Sequence, residues 1–442
     1  MLNNFFTFIF YYFLILFSIY GYGLFFLKLN NRNSDSNNFG YVGLSGLFFV
    51  LIYSYVSNLF IPHSAGHNLL FILLGIILFF LFLKKNYKRL KIEVIFSLII
   101  FSILLFSAFI FKNHDDFPYY HFPYAYYLTQ DSFHFGVGQF NHGFRTPSSI
   151  FYINSLFYLP FAEYYLFNLT PIYILGFANI IFLKKIHNFF WSLNFNKSFS
   201  QRINNINYLS LLSFIFINIF FYRISEHGTD RSAQILILIF IILTLEFLNS
   251  KRNEKLSLIY IYILIGLIIS LKAFYILYLV LFIPIFYFIY EKNKKIFLCL
   301  KFFFINKYFL YLSVLVLFVI GTYFINTGCI IYPVSFTCFQ NLSWAIPISE
   351  VNLMNNWYEL WSKAGANPNF RVDNQEIYIQ KFNWVNHWID NYFFNKVSDF
   401  LGGIVLLSVI FIFFFIKLNK NKKKLIINKF SVITYLLLFI LA

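Results

Sequence analysis

Continuous apolar runs of 15 to 23 residues recur along the whole chain, separated by polar connections. A bilayer needs about 20 apolar residues per helix to cross its hydrocarbon. The alternating pattern of an outer-membrane barrel is absent from these runs, and only a helix pairs its own backbone groups within one such segment. The expected fold is all-α, a polytopic transmembrane helical bundle forming a single integral membrane domain over residues 1–442. Apolar runs lie near 5–27, 41–60, 69–83, 93–111, 164–183, 207–224, 232–249, 256–271, 273–290, 308–325, 399–416 and 430–442. The last is about a dozen residues, shorter than the ~20 a span needs, and reads as truncated. About twelve spans are expected. Residues 1–10 lack a basic n-region, so no cleavable signal peptide is expected.

The net charge of +17 is patterned rather than diffuse. Lys and Arg concentrate in alternate connections, at 28–40, 84–91, 184–206, 251–255, 291–307 and 417–429, which hold 25 of the 34 basic residues. The positive-inside rule makes these cytoplasmic and puts the N-terminus outside. Twelve of the 17 acidic residues fall on the other face. The basic balance is therefore a topology signal, with some attraction to anionic lipid, and argues against a nucleic-acid partner. Residues 256–290 have basic flanks at both ends, which requires two short spans meeting on the outer side at Lys272. The expected location is the inner (plasma) membrane, multi-pass, with two large extracytoplasmic loops, 112–163 and 326–398.

Polar chemistry gathers on that outer face, which carries eight of the nine histidines. His114, Asp115 and Asp116 follow directly on the fourth span, where a carboxylate can reach a hydroxyl beside a membrane-held substrate or hold a cation. A solvated helix end is the plain alternative. His121, Asp131, His134, His142 and Arg145 follow among five tyrosines, a density that is costly beside lipid and favours function. No HxxxH or HExxH spacing supports a metal site, and the metal remains unknown. The segment 149–162 is apolar, too short to span and interrupted by Pro160, which predicts an interfacial or re-entrant helix. Glu226, His227, Asp230 and Arg231 form a second polar knot, equally readable as helix capping. Lys272, Arg145, Arg223 and Arg231 are candidate phosphate-binding cations. Five of the six tryptophans lie in the second loop, where Trp357/Trp361 and Trp384/Trp388 suit interfacial helices or sugar stacking. Cys329 and Cys338 share that loop and either close a disulfide or remain free thiols.

An acidic pair opening the first large outer loop, an interfacial helix within it, a second acidic turn, a Lys between two short spans and a large late loop together resemble the C-type (GT-C) membrane glycosyltransferases. HDDFPYYHFPYAYYL and NHGFRTPSSIFYINSLFYLP look more like an uncharacterised bacterial membrane family of that fold. The resemblance covers most of the chain, although the acidic pair follows the fourth span rather than the first. It implies a sugar transferred from a polyprenyl-phosphate donor to an envelope glycan, lipid or protein acceptor. It also implies Asp115 or Asp116 as catalytic base or, in some branches, ligand of a divalent cation. His114, His121, His142, Arg145, Glu226, Asp230, Arg231 and Lys272 are the expected substrate-binding residues. A lipid-linked glycan polymerase or ligase, a transporter or flippase of a lipid-linked saccharide, and a catalytically dead scaffold are the competing readings.

Overall fold

In a computed structural model the chain is helical, with no strand among the described residues. These are residues 2–30, 38–110, 115–193, 201–221, 223–226, 228–249, 254–365, 372–398, 401–403, 405–406, 409 and 429–441. The chain divides into two units, residues 1–326 with 427–442, and residues 327–426.

The first unit contains α1 (Leu2–Leu29), α2 (Phe39–Asn58), α3 (Ala65–Lys85), α4 (Tyr87–Phe109), α5 (Phe122–Gln130), α6 (Ile150–Ser155), α7 (Leu169–Leu193), α8 (Gln201–Phe220), α9 (Gly228–Asn249), α10 (Glu254–Leu271), α11 (Phe282–Asn293), α12 (Ile296–Phe304), α13 (Lys307–Thr327) and the helix Lys429–Leu441. Eight helices among the described residues are long and apolar enough to cross a membrane, as in a multi-pass membrane protein. Residues 206–220 and 258–271 are shorter apolar helices. The run near 399–416 lies mostly outside the described residues.

Helix α7 is the central column: 89% of its apolar stretch is buried, against 22% for α4. The exposed residues of α4 explain the difference. Ile92, Ile95, Ile99, Ile103 and Phe106 recur at helical spacing and form one bare apolar stripe. Such a stripe is costly in water and suited to lipid. Helix α1 packs on α2 and α3 through glycine: a Cβ on Gly21 would lie 1.8 Å from the carbonyl oxygen of Gly75, and one on Gly46 would lie 2.0 Å from that of Ile19. Small residues permit this closeness where packing, not hydrophobicity, drives helix association. The basic run 84–91 differs from the sequence reading: only Asn86 separates α3 from α4, so its lysines and arginine sit on helix ends. Lys and Arg are good helix formers, and Lys84 and Lys85 complement the C-terminal dipole of α3.

Ion pairs order the helix ends. Glu93 of α4 pairs with Lys184 of α7, and Glu246 of α9 pairs with Lys185. At the opposite end of α9, Asp230 pairs with Lys272. The reversal at Lys272 follows from ring contacts. Tyr262 and Phe282 lie ten residues either side of Lys272, yet their centroids are 5.6 Å apart; a continuous helix would separate them by about 30 Å. The backbone of Lys272 is extended, and Ala273–Leu281 continues as a 3₁₀ helix.

The expected helix over 149–162 is shorter and more enclosed than the sequence suggested. Only Ile150–Ser155 is α-helical, and all six residues are buried in protein rather than lying along a surface. Polar groups make this burial tolerable. Ser148 Oγ donates to the Leu271 carbonyl at 2.7 Å, and the Ser149 N–H to that of Ser270 at 3.0 Å, which satisfies the buried C-terminal end of α10. Ser149 also bonds Tyr55 at 2.6 Å, and Thr170 donates to Asn154 at 2.6 Å. Asn68 donates to the carbonyls of His63, Ser155 and Tyr158. His63 is fully buried between Ser57, 2.9 Å from Nε2, and Ser155, 2.7 Å from Nδ1.

The second unit contains α14 (Ile348–Ala364), α15 (Gln375–Ile379) and α16 (Val385–Trp388). Cys329 and Cys338 are joined by a disulfide, and Cys329 packs with Tyr332, Ile346 and Val351 in a small core. Trp357 and Trp361 lie with centroids 6.2 Å apart, as do Trp384 and Trp388.

Burial holds His63 well below the usual imidazole range, at about 3, with nearby His67 acting in the same direction. The folded chain keeps it neutral, whereas the unfolded chain protonates it near pH ~6.5. Its contribution is complete above that pH and is lost as pH falls towards the folded value. Thermal unfolding in detergent should therefore show about 2 kcal/mol lost through this residue between pH ~6.5 and ~5. His63→Gln should flatten that slope; an unchanged slope would contradict the assignment.

Candidate functional site

Asp115 and Asp116 open the first large loop, immediately before a π-helical turn, Phe117–His121, that runs into α5. Such turns are rare and recur at functional sites. Pro123 explains part of its geometry. Proline has no N–H for the carbonyl four residues back, and that carbonyl, of Tyr119, instead accepts from Asn141 Nδ2 at 3.0 Å. Asn141 also caps the next 3₁₀ turn, its Oδ1 accepting from the Gly143 N–H at 2.8 Å. Gly143 then lies flat on Tyr120: a Cβ there would sit 2.1 Å from the ring. Tyr120 in turn donates its hydroxyl to Asp116 Oδ2 at 3.1 Å. Asp116 is thus positioned by a chain of contacts that ends in a glycine and a proline. Asp115 is exposed, and His114 lies outside the described residues.

A cleft adjoins this turn. Its walls include Phe117, His121, Asn154, Asn168, Ser225 and Thr229. Phe117 directly follows Asp116, and Thr229 directly precedes Asp230, so each acidic residue is the chain neighbour of a residue in the cleft wall, without lining the cleft itself. Asp230 holds the Lys272 ammonium at 2.9 Å, with side chains 52% and 48% exposed. Lysine offers three N–H donors, so this pair leaves others for a ligand. His121 stands edge-on to Tyr120, with centroids 4.4 Å apart. Ser225 belongs to the short turn Ile224–Glu226, and Glu226 is described only in its backbone; His227 lies outside the described residues.

Other expected ligand residues are drawn elsewhere. Arg145 is buried, donates from Nε to the Gly138 carbonyl at 3.2 Å and does not line this cleft. Arg231 donates to the Phe220 carbonyl at the end of α8 at 3.2 Å and covers the Phe221 ring. Both guanidiniums serve backbone carbonyls. His142 is exposed within the 3₁₀ turn His142–Phe144. Among the described residues no three of His, Cys, Asp and Glu gather closely enough to hold a metal ion. His63 and its two serines were not singled out from the sequence, because a histidine between two apolar runs carries no local signal of its partners.

The family model described as "Domain of unknown function (DUF8201)" matches residues 5–442, and the chain belongs to that family. No curated protein and no solved structure matches it.

The half-exposed Asp230–Lys272 pair is a weak stabiliser on physical grounds. A double-mutant cycle of Asp230→Asn and Lys272→Met, read by thermal unfolding in detergent, should give a coupling below about 1 kcal/mol. A coupling of several kcal/mol would make the pair a structural element instead.

Proposed function

We propose that this member of the DUF8201 family is a membrane glycosyltransferase acting on a polyprenyl-phosphate-linked sugar at the extracytoplasmic face of the plasma membrane. The observation that carries the reading is one cleft whose wall includes the chain neighbours of both acidic positions, Phe117 after Asp116 and Thr229 before Asp230. A carboxylate at Asp116 and an ammonium at Lys272, the partner of Asp230, match the two charges that glycosyl transfer develops. The Asp116 carboxylate, with Asp115 beside it, takes the proton of the acceptor hydroxyl. The freed oxygen attacks the anomeric carbon as the bond to the lipid phosphate breaks on the opposite face, with inversion. Lys272, oriented by Asp230, stabilises the negative charge on the leaving phosphate. His121 lies on the cleft wall, edge-on to Tyr120.

The orientation rests on charge. Glu93, Lys184, Lys185 and Glu246 meet at the end of the helices flanked by basic connections, and the cleft lies at the other end. Basic connections mark the cytoplasm, so the cleft faces outward.

The test is transfer of radiolabelled sugar from polyprenyl-phosphate donors by purified protein in liposomes. Asp115→Asn/Asp116→Asn should slow transfer by about 10²–10⁴-fold while leaving the detergent melting point near that of the parent. Full activity in the double variant would overturn the proposal.

A further inference from the structure

A second cleft lies in the first unit. Sixteen residues line it and, as in the cleft beside Phe117, none is Asp, Glu, Lys or Arg; here seven are tyrosine, asparagine or histidine. One side is a stack of rings: Phe318 of α13 lies parallel to Tyr55 of α2 at 5.5 Å, and Tyr55 lies on Tyr152 of α6 at 4.1 Å. The polar groups are neutral amides, hydroxyls and an imidazole. Tyr124 and Tyr152 approach hydroxyl to hydroxyl at 3.3 Å, and Asn326 Nδ2 lies 3.4 Å from the Tyr124 oxygen. Tyr127 bonds His134 Nδ1 at 3.0 Å, which fixes the exposed imidazole and leaves Nε2 for a ligand. Burial holds the Tyr124 and Tyr127 hydroxyls above the ordinary phenol range, and Tyr127 donates its hydroxyl to the Ser132 carbonyl at 3.3 Å.

Two further lining residues are bare leucines, Leu59 at 41% and Leu317 at 67% exposed. Leu317 belongs to α13, one of the helices apolar enough to cross a membrane. The cleft therefore joins an uncharged polar interior to an apolar edge. An anion or cation entering it would lose hydration without a counter-charge, which is costly. A ring with one apolar face and several neutral hydroxyls has partners for both parts: aromatic faces for the first, Tyr, Asn, Thr322 and His134 for the second.

We propose that this cleft binds the uncharged sugar head of a glycosyl lipid, with the lipid chain leaving between Leu59 and Leu317 along α13. The proposal does not rest on the reading of the Asp116 cleft. Gly321 supplies the decisive variant. It lines the cleft, and a Cβ added there meets nothing within 4 Å. Gly321→Phe should fill the opening without disturbing the helix.

The experiment is native mass spectrometry of the full chain, released from a detergent that contains no sugar and titrated with monoglucosyl diacylglycerol. Diacylglycerol without the sugar, free glucose and a polyprenyl phosphate serve as the comparison arms. Glucosyl lipid should bind about tenfold or more tightly than diacylglycerol, as two or three net hydrogen bonds require. Gly321→Phe should abolish that binding, and His134→Ala should weaken it by about 2–10-fold. Glucosyl lipid binding no tighter than diacylglycerol, or undiminished in Gly321→Phe, would overturn the proposal. Equal binding of free glucose would overturn the role given to the lipid.

Discussion

A short stretch of chain buried inside a helical bundle must find a partner for every polar group it carries, and residues 148–155 meet that demand from all sides. Ser148 and Ser149 close the carbonyl end of α10, Asn154 holds α7 through Thr170, and Ser155 meets His63. Both clefts depend on this segment. Ile150, Phe151 and Asn154 line the cleft beside Asp116, whereas Tyr152 lines the second one. Different positions of one buried helical turn thus supply walls to two clefts. Helix α10 must end at Leu271 for the serines to cap it, and that ending brings Lys272 to Asp230.

The features that follow from bulk physics were legible in the sequence. Apolar length marks the spans, and basic flanks at both ends of 256–290 require the reversal that the Tyr262–Phe282 contact shows. The acidic positions also stood out, since carboxylates beside apolar runs are expensive. Their meeting was not legible. Asp116 and Asp230 are separated by 113 residues and four helices, and nothing in either local sequence reports the other.

The cationic candidates divide for a physical reason. Lysine and arginine read alike beside an apolar run, but an arginine can be turned towards a backbone carbonyl that no sequence pattern reveals. Arg145 and Arg231 are used in this way, by Gly138 and Phe220. Lys272 meets a carboxylate instead and stays half exposed. The second cleft was legible only in part. Tyr124, Tyr127 and His134 belong to the dense first-loop stretch, but Tyr55 and Tyr152 sit among apolar residues, and the hydroxyls converge only after α2, α5, α6 and α13 assemble. Gly143 is similar: an ordinary loop glycine in sequence, it is the surface on which Tyr120 rests to hold Asp116.

The central claim is that the cleft between the π-helical turn and the start of α9 receives the lipid phosphate of a sugar donor. Photocrosslinking with a polyprenyl phosphate bearing a diazirine beside its phosphate, followed by peptide mapping, tests this directly. The account predicts labelling confined to peptides containing residues 117–122, 225–230 and 272. Labelling concentrated at the opposite helix ends, around Glu93 and Lys184, would contradict it.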